Sequence, residues 1–310
     1  MTATDRVVPL LLALLLDALW GEPPNRWHPV AWMGTGIGAA SCRAPSSAPG
    51  RLAYGAAVVV AGAVAAAGAG LVAERLLATM PRALAWVAAA VVLKTTFSAR
   101  RLAEIARQVH AVLAAGDVCQ ARCLVGYHLV SRDTRGLDAP RLAAATIESV
   151  AENASDSVVA PLFYYVLAGL PGALAYRFLN TADAMLGYRD PSREWLGKAP
   201  ARADDAANLI PARLTAALLV LAAACLREDA RGALSIWRQD AGKTASPNAG
   251  HPMSAMAGAL GVELEKAGHY KLGEGLALPG PSDIGRAVRL FYGTVAMAIV
   301  LACAVIALRA

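Results

Sequence analysis

The fold class this sequence predicts is all-α: a polytopic integral membrane protein with about five or six apolar helices and long helical loops. It is expected to form a single membrane-embedded domain over residues 1–310. Three observations carry this. First, 57% of the residues are hydrophobic and 17% are charged, against ~45–50% and ~25% in soluble domains. Second, 52–73 and 290–308 each run without a charge for about the length of a bilayer crossing. Third, no segment alternates convincingly as a strand, whereas 99–115 repeats Leu102, Ile105, Ala106, Val109 and Leu113 at helical spacing. The same composition excludes a disordered chain. Five cysteines with no CxxC pair exclude a disulfide scaffold and argue against a zinc ribbon.

Taken in order, 7–20 is a short apolar helix that carries Asp17. It lacks a small-residue cleavage site, so it is expected to stay in the mature chain. In 52–73, Gly62, Ala66 and Gly70 recur every four residues. That spacing is either a close-packing face or a chance product of an Ala/Gly-rich stretch. The 83–93 stretch is shorter and ends at Lys94, whose ammonium can snorkel to the interface. The 158–176 stretch is long enough to cross, but Pro161, Gly169, Pro171 and Gly172 interrupt it. They permit a broken or re-entrant helix. A span at 212–226 has Arg213 at its edge, and 290–308 closes the series. Residues 142–155 also read as helix, 45–49 as a loop and 278–281 as a turn.

The net charge of +6 comes from 29 Lys and Arg interleaved with 23 Asp and Glu. No block of like charge exists, so nucleic acid is not an expected partner. Membrane lipid is. With six crossings, 94–157 and 227–289 fall on one side. Their basic residues make that side cytoplasmic, although each also holds seven acids.

Polar residues concentrate in four places. Glu148 and Glu152 share a helix face, with Asn153 and Asp156 beside it. Such carboxylates either face solvent or hold a divalent cation between them, since Mg²⁺ takes one or two carboxylates plus phosphate oxygens. Asn180 and Asp183 precede Tyr188 and Arg189, where Arg is either an interfacial anchor or a phosphate clamp. Asp204, Asp205 and Asn208 precede Arg213 and read as a helix cap or as a site. Ser246 and Asn248 open a Pro- and Gly-bound loop before His251, whose backbone N–H groups could take an anion. A fifth polar loop holds Glu22, Arg26 and His28, and His28 reads as a structural hydrogen-bonder. No standard nucleotide-binding, hydrolase or zincin motif is present. These residues suit an enzyme of phosphorylated substrates or an ion-coupled transporter.

Taken together and in order, these segments resemble the CobD/CbiB family of cobalamin-biosynthesis membrane proteins, the cobinamide-phosphate synthases. The matching pieces run from Asp17, Pro24, His28 and Pro29 through Glu148, Asp156 and Pro161. They continue through Asn180, Arg189, Asp204, Arg213, Ser246 and Gly261 to Glu274. Two positions depart: Ser157 stands where Gly is expected, and His251 where Trp is commoner. The resemblance implies an ATP-dependent acid–amine ligation. Adenosylcobyric acid is joined to (R)-1-amino-2-propanol O-phosphate to give adenosylcobinamide phosphate, with ATP as co-substrate and Mg²⁺ as metal. Other cobalamin-pathway enzymes are candidate partners. The site is expected at the cytoplasmic face of the cell (inner) membrane, with the four motifs converging on one cavity.

On that reading Glu148, Glu152 and Asp156 are metal ligands or acids, and Asp183 is a further candidate for the same role. Asp204 or Asp205 is a second metal contact or the general base. Arg189, Arg213 and Lys243 bind substrate phosphates, and Tyr188 and Ser246 are further substrate-binding residues. Asn153, Asn180, Asn208 and Asn248 orient corrinoid amides. The competing reading is a non-catalytic corrinoid-binding subunit or a transporter.

Overall fold

The computed structural model describes residues 2–187 and 194–309. In chain order the helices are α1 (Thr4–Trp20), α2 (Pro29–Ser41), α3 (Ala48–Leu77), α4 (Arg82–Lys94), α5 (Arg100–Ala114) and α6 (Val118–His128). They continue as α7 (Ala139–Ala154), α8 (Ala160–Leu186), α9 (Glu194–Cys225), α10 (Ala230–Asp240), α11 (Gly250–Leu260) and α12 (Pro281–Leu308). A π-helical turn, Ser155–Val159, joins α7 to α8. Pro161 has no N–H to offer the carbonyl one turn back, which accounts for the widened turn at this point.

A small antiparallel hairpin of β1 (Leu264–Lys266) and β2 (Tyr270–Leu272) departs from the expectation of no strand. Three-residue strands are too short to reveal alternation in sequence. Gly268 turns the chain between them with φ +75°.

Among the described residues, four helical segments are long and apolar enough to cross a membrane: Ala48–Leu77, Ala139–Leu186, Glu194–Cys225 and Pro281–Leu308. The two remaining apolar stretches form α1 and α4, of 17 and 13 residues. At 1.5 Å per residue these reach about 25 and 20 Å, short of a ~30 Å hydrocarbon core.

The chain divides into two compact units. Unit 1 comprises Met1–Ser98, Ala160–Asn208 and Leu301–Ala310; unit 2 comprises Ala99–Val159 and Leu209–Val300. After Ser98 the remaining boundaries fall within continuous helical segments: at the π turn, inside α9 and inside α12.

In unit 1, α3 packs against α8 through its small-residue stripe. Any Cβ at Gly62 would overlap the Phe178 ring, and one at Gly70 would lie 2.6 Å from Pro171 Cα. Ala66 is buried between them in sequence. The stripe is therefore a packing face. The expected break in α8 occurs at Ala168 and Gly169, the latter at φ +66°, ψ −151°, a conformation that favours glycine. The break frees the Leu170 N–H, which donates to Glu74 Oε1 at 2.9 Å. Lys94, at the end of α4, does not snorkel. It is 5% exposed and sits 3.0 Å from Asp17 Oδ1 and 2.8 Å from Glu22 Oε1. Two carboxylates replace the water it would otherwise seek.

In unit 2, α5 buries the face expected of it: Leu102, Ile105, Ala106, Val109 and Leu113. α10 and α11 approach backbone to backbone, with Gly258 against the Gly232 carbonyl. α7 packs on α11, α5 and β1.

Candidate functional site

In unit 2 the polar face of α7 and the π turn carry the first group of expected residues. Glu148 is 5% exposed. Its Oε2 accepts from Arg132 Nη2 at 3.3 Å, while Oε1 makes no well-formed hydrogen bond. Arg132 Nε and the Ser155 hydroxyl are also buried without a partner. Burial and the carboxylates of Glu148 and Glu152 push the Tyr270 phenol above its ordinary value. It stays protonated and can donate. Asn153 is occupied locally: Nδ2 donates to the Ser149 carbonyl at 3.0 Å, and Oδ1 accepts from Ser157 Oγ at 3.0 Å. Ser157, one of the two positions that depart from the family pattern, thus anchors Asn153. Asp156 lies in the π turn, a local geometry frequent at functional sites.

The loop into α11 holds the second group. Lys243 Nζ pairs with Asp240 Oδ1 at 2.7 Å, and buried Asp240 also accepts the Gly273 N–H at 2.7 Å. The Ser246 hydroxyl accepts the N–H groups of Asn248 and Ala249 at 3.2 and 3.4 Å. It therefore takes two of the donors that an anion would use. Asn248 is buried. His251 Nδ1 accepts from Trp237 Nε1 at 2.9 Å, which leaves the ring proton on Nε2. Burial, then the positive charge of Arg213, lowers its pKa, so the ring is neutral. Arg213 is exposed and donates to the Leu209 carbonyl at 2.7 Å.

Unit 1 brings five expected residues together: Asn180, Asp183, Asp204, Asp205 and Asn208. Asp204 Oδ2 accepts from Asn208 Nδ2 at 2.9 Å, and Oδ1 from Asn180 Nδ2 at 3.4 Å. Asn208 Oδ1 accepts the Tyr176 hydroxyl at 2.9 Å. Asn180 Oδ1 accepts from Arg177 at 3.2 Å. Tyr176 stacks on Tyr164 with centroids 5.1 Å apart. Asp183 and Asp205 add negative potential at Asp204. This side-chain network ties α8 to α9. Tyr188 and Arg189 lie outside the described residues.

Sequence reasoning missed a further cluster in unit 1. Glu22 receives Lys94 at 2.8 Å and His28 Nε2 at 2.9 Å, and the Val30 N–H donates to His28 Nδ1 at 3.2 Å. His28 is the expected hydrogen-bonder, capping α2. The available signal was a pair of opposite charges, Asp17 and Lys94, each set in an apolar helix where a lone charge is costly.

Among the described residues, no three His, Cys, Asp or Glu side chains are arranged to hold a metal by themselves. A Mg²⁺ that arrives with a nucleotide needs only one or two carboxylates, the rest being phosphate oxygens and water. The hard-oxygen neighbours Glu148 and Glu152 meet that requirement.

A family model described as CobD/Cbib protein matches residues 10–291. Cobalamin biosynthesis protein CobD of Chromobacterium violaceum is 44% identical over 298 residues, covering 91% of this chain and 90% of its own. The protein of the same name from Dehalococcoides mccartyi is 40% identical over 275 residues, 85% of each chain. A probable cobalamin biosynthesis protein CobD of Methanothermobacter thermautotrophicus is 41% identical over 271 residues, 87% of this chain and 88% of its own. No solved structure matches.

Proposed function

The chain belongs to the CobD/CbiB family and acts in cobalamin biosynthesis; from that premise we propose that it is the acid–amine ligase of the corrinoid side chain. The free propionate of adenosylcobyric acid attacks the γ-phosphorus of ATP, giving an acyl phosphate and ADP. The neutral amine of (R)-1-amino-2-propanol O-phosphate then attacks the acyl carbon. The C–N bond forms, inorganic phosphate leaves, and one proton passes from nitrogen to a base.

The observation that carries this reading is Glu148, buried in α7 beside Arg132 and Tyr270 with one carboxylate oxygen that makes no well-formed hydrogen bond. Buried polar groups are ordinarily satisfied, and an incomplete set suits a ligand that completes it. Glu148 and Glu152 would hold Mg²⁺ together with phosphate oxygens, with Asp156 a further acid one turn on; when bound, the ion neutralises charge on the phosphates. Tyr270, kept protonated, donates to a phosphate or acyl oxygen. Asp204 or Asp205 accepts the amine proton. Lys243 and Arg213 supply positive charge for phosphate oxygens, with Arg189 and Tyr188. Ser246 fixes the loop that carries Asn248, and Asn153, Asn180, Asn208 and Asn248 orient amides. Four crossings leave stretches 78–138 and 226–280 on one side by parity, and the Lys and Arg they carry, in excess over acids in 78–138, make that side cytoplasmic.

The test is amide formation by the full chain purified in detergent with Mg²⁺, ATP, adenosylcobyric acid and aminopropanol phosphate, read by mass spectrometry. ATP-dependent product is expected. Corrinoid bound without product would favour a non-catalytic corrinoid-binding subunit. Glu152→Ala with wild-type turnover would sink the role given to Glu152.

A further inference from the structure

Unit 1 contains a cavity of about 370 Å³ walled by the loop after α1, the start of α2, the loop after α4, and α8. That volume lies at the lower end of small-molecule sites, ~300–1,000 Å³. Its charged lining residues are Glu22 and Arg177, with Asn25, His28, Thr95 and Ser98 between them.

Each charge is fixed in place. Glu22 is held by the Lys94 ammonium and the His28 Nε2 proton, yet 27% of its side chain remains exposed. Burial raises the Glu22 carboxyl, but hydrogen bonds from His28, Lys94 and Ser98 outweigh it and bring the pKa down to about 2. The group is an anion at neutral pH. Arg177 donates to Asn180 Oδ1 at 3.2 Å. Through Asn180 it is tied to Asp204.

A cavity with one fixed anion and one fixed guanidinium selects against simple ions. Free phosphate meets Glu22, and a simple amine meets Arg177. A ligand carrying both charges satisfies both walls. Val30, Ala31 and Phe97 add apolar surface that can receive a methyl group. We propose that this cavity is the entry subsite for a short amino alcohol phosphate, with its ammonium on Glu22 and its phosphate on the Arg177 guanidinium fork. The identity of the ligand rests on the ligase reading; the dipolar character of the pocket does not. Glu22 serves here in binding and leaves deprotonation of the amine to another group, since an acid this strong is a poor base.

Calorimetric titration of the full chain in detergent tests this without ATP or corrinoid. The probes are (R)-1-amino-2-propanol O-phosphate, 1-amino-2-propanol and inorganic phosphate. Saturable binding of the first is expected, with the other two at least tenfold weaker. Glu22→Gln should weaken the first probe at least tenfold. Because Glu22 also holds Lys94, Ala31→Trp provides an independent check. It fills the cavity, removes no charge, and should block binding at an unchanged thermal midpoint. Absence of saturable binding to the wild type overturns the proposal, as does wild-type affinity in both variants. Binding without amide product would defeat the ligase reading and leave the pocket standing. Amide product at wild-type KM for the phosphate in both variants would defeat the pocket and leave the ligase standing.

Discussion

In unit 1 the Asp204 carboxylate receives amide donors on both oxygens, and the amides in turn end on a phenol and a guanidinium. In unit 2 the equally buried Glu148 has one guanidinium at 3.3 Å and an oxygen without a well-formed hydrogen bond, and the buried Ser155 hydroxyl of the following π turn has no partner. Each cluster sets a buried carboxylate among polar side chains. One is closed upon itself and should act as structure that also positions a carboxylate. The other is incomplete and should acquire its partners from a substrate. The difference teaches that a buried acid is informative about function mainly through what it fails to bind.

The largest effect should come from the incomplete cluster. Glu152→Ala and Glu148→Gln are expected to lower ATP-dependent amide formation at least 100-fold. The thermal midpoint should stay within a few degrees of wild type; a collapse in midpoint would make Glu148 a structural residue and break the comparison. Next is Lys94→Met, which leaves Asp17 and Glu22 without their shared cation. Removing one partner of a buried ion pair costs about 3–5 kcal/mol, readable as a large drop in midpoint. Asn208→Leu strands Asp204 and Tyr176 together and should cost about 1–3 kcal/mol.

Ser155→Ala works in the opposite direction. It removes an unpartnered buried hydroxyl and should be neutral or stabilising by about 1 kcal/mol, while substrate affinity falls if the hydroxyl meets a ligand. The smallest effects lie in pH. The depressed Glu22 pKa contributes stability that is complete above its unfolded value of 4.5 and is lost as pH falls towards about 2. The depressed His251 pKa contributes stability above its unfolded value of 6.5, lost as pH falls below it. Midpoint-versus-pH curves for Glu22→Gln and His251→Trp should each lose the slope in their own window.

Much of the helical framework was legible because its signals are local. The Gly62, Ala66 and Gly70 stripe states its own packing face, and Gly169 beside Pro171 states the break. The α5 core face follows from spacing alone. Lys94 was misread because its partners lie in distant sequence, one of them 72 residues away, and nothing local distinguishes a snorkelling lysine from a paired one. The hairpin was missed because three residues cannot show a period. Within the site, Asn180 and Asp204 were each visible as polar intruders. Their bond joins positions 24 apart on two helices, which spacing does not reveal. Asn153 and Ser246 show the converse: residue type suggested binding, while their hydrogen bonds run to neighbouring positions.

The interleaving of the two units sets a timetable for biogenesis. α3 ends at Leu77, and its packing partner α8 does not begin until Ala160. At ~5–20 residues per second of synthesis, the small-residue stripe of α3 waits on the order of ten seconds before its partner is made. During that interval Gly62 and Gly70 have lipid or an insertion chaperone for a neighbour. Nascent chains arrested before α8 should therefore be prime targets for membrane quality-control proteases, and chains released after it should escape them.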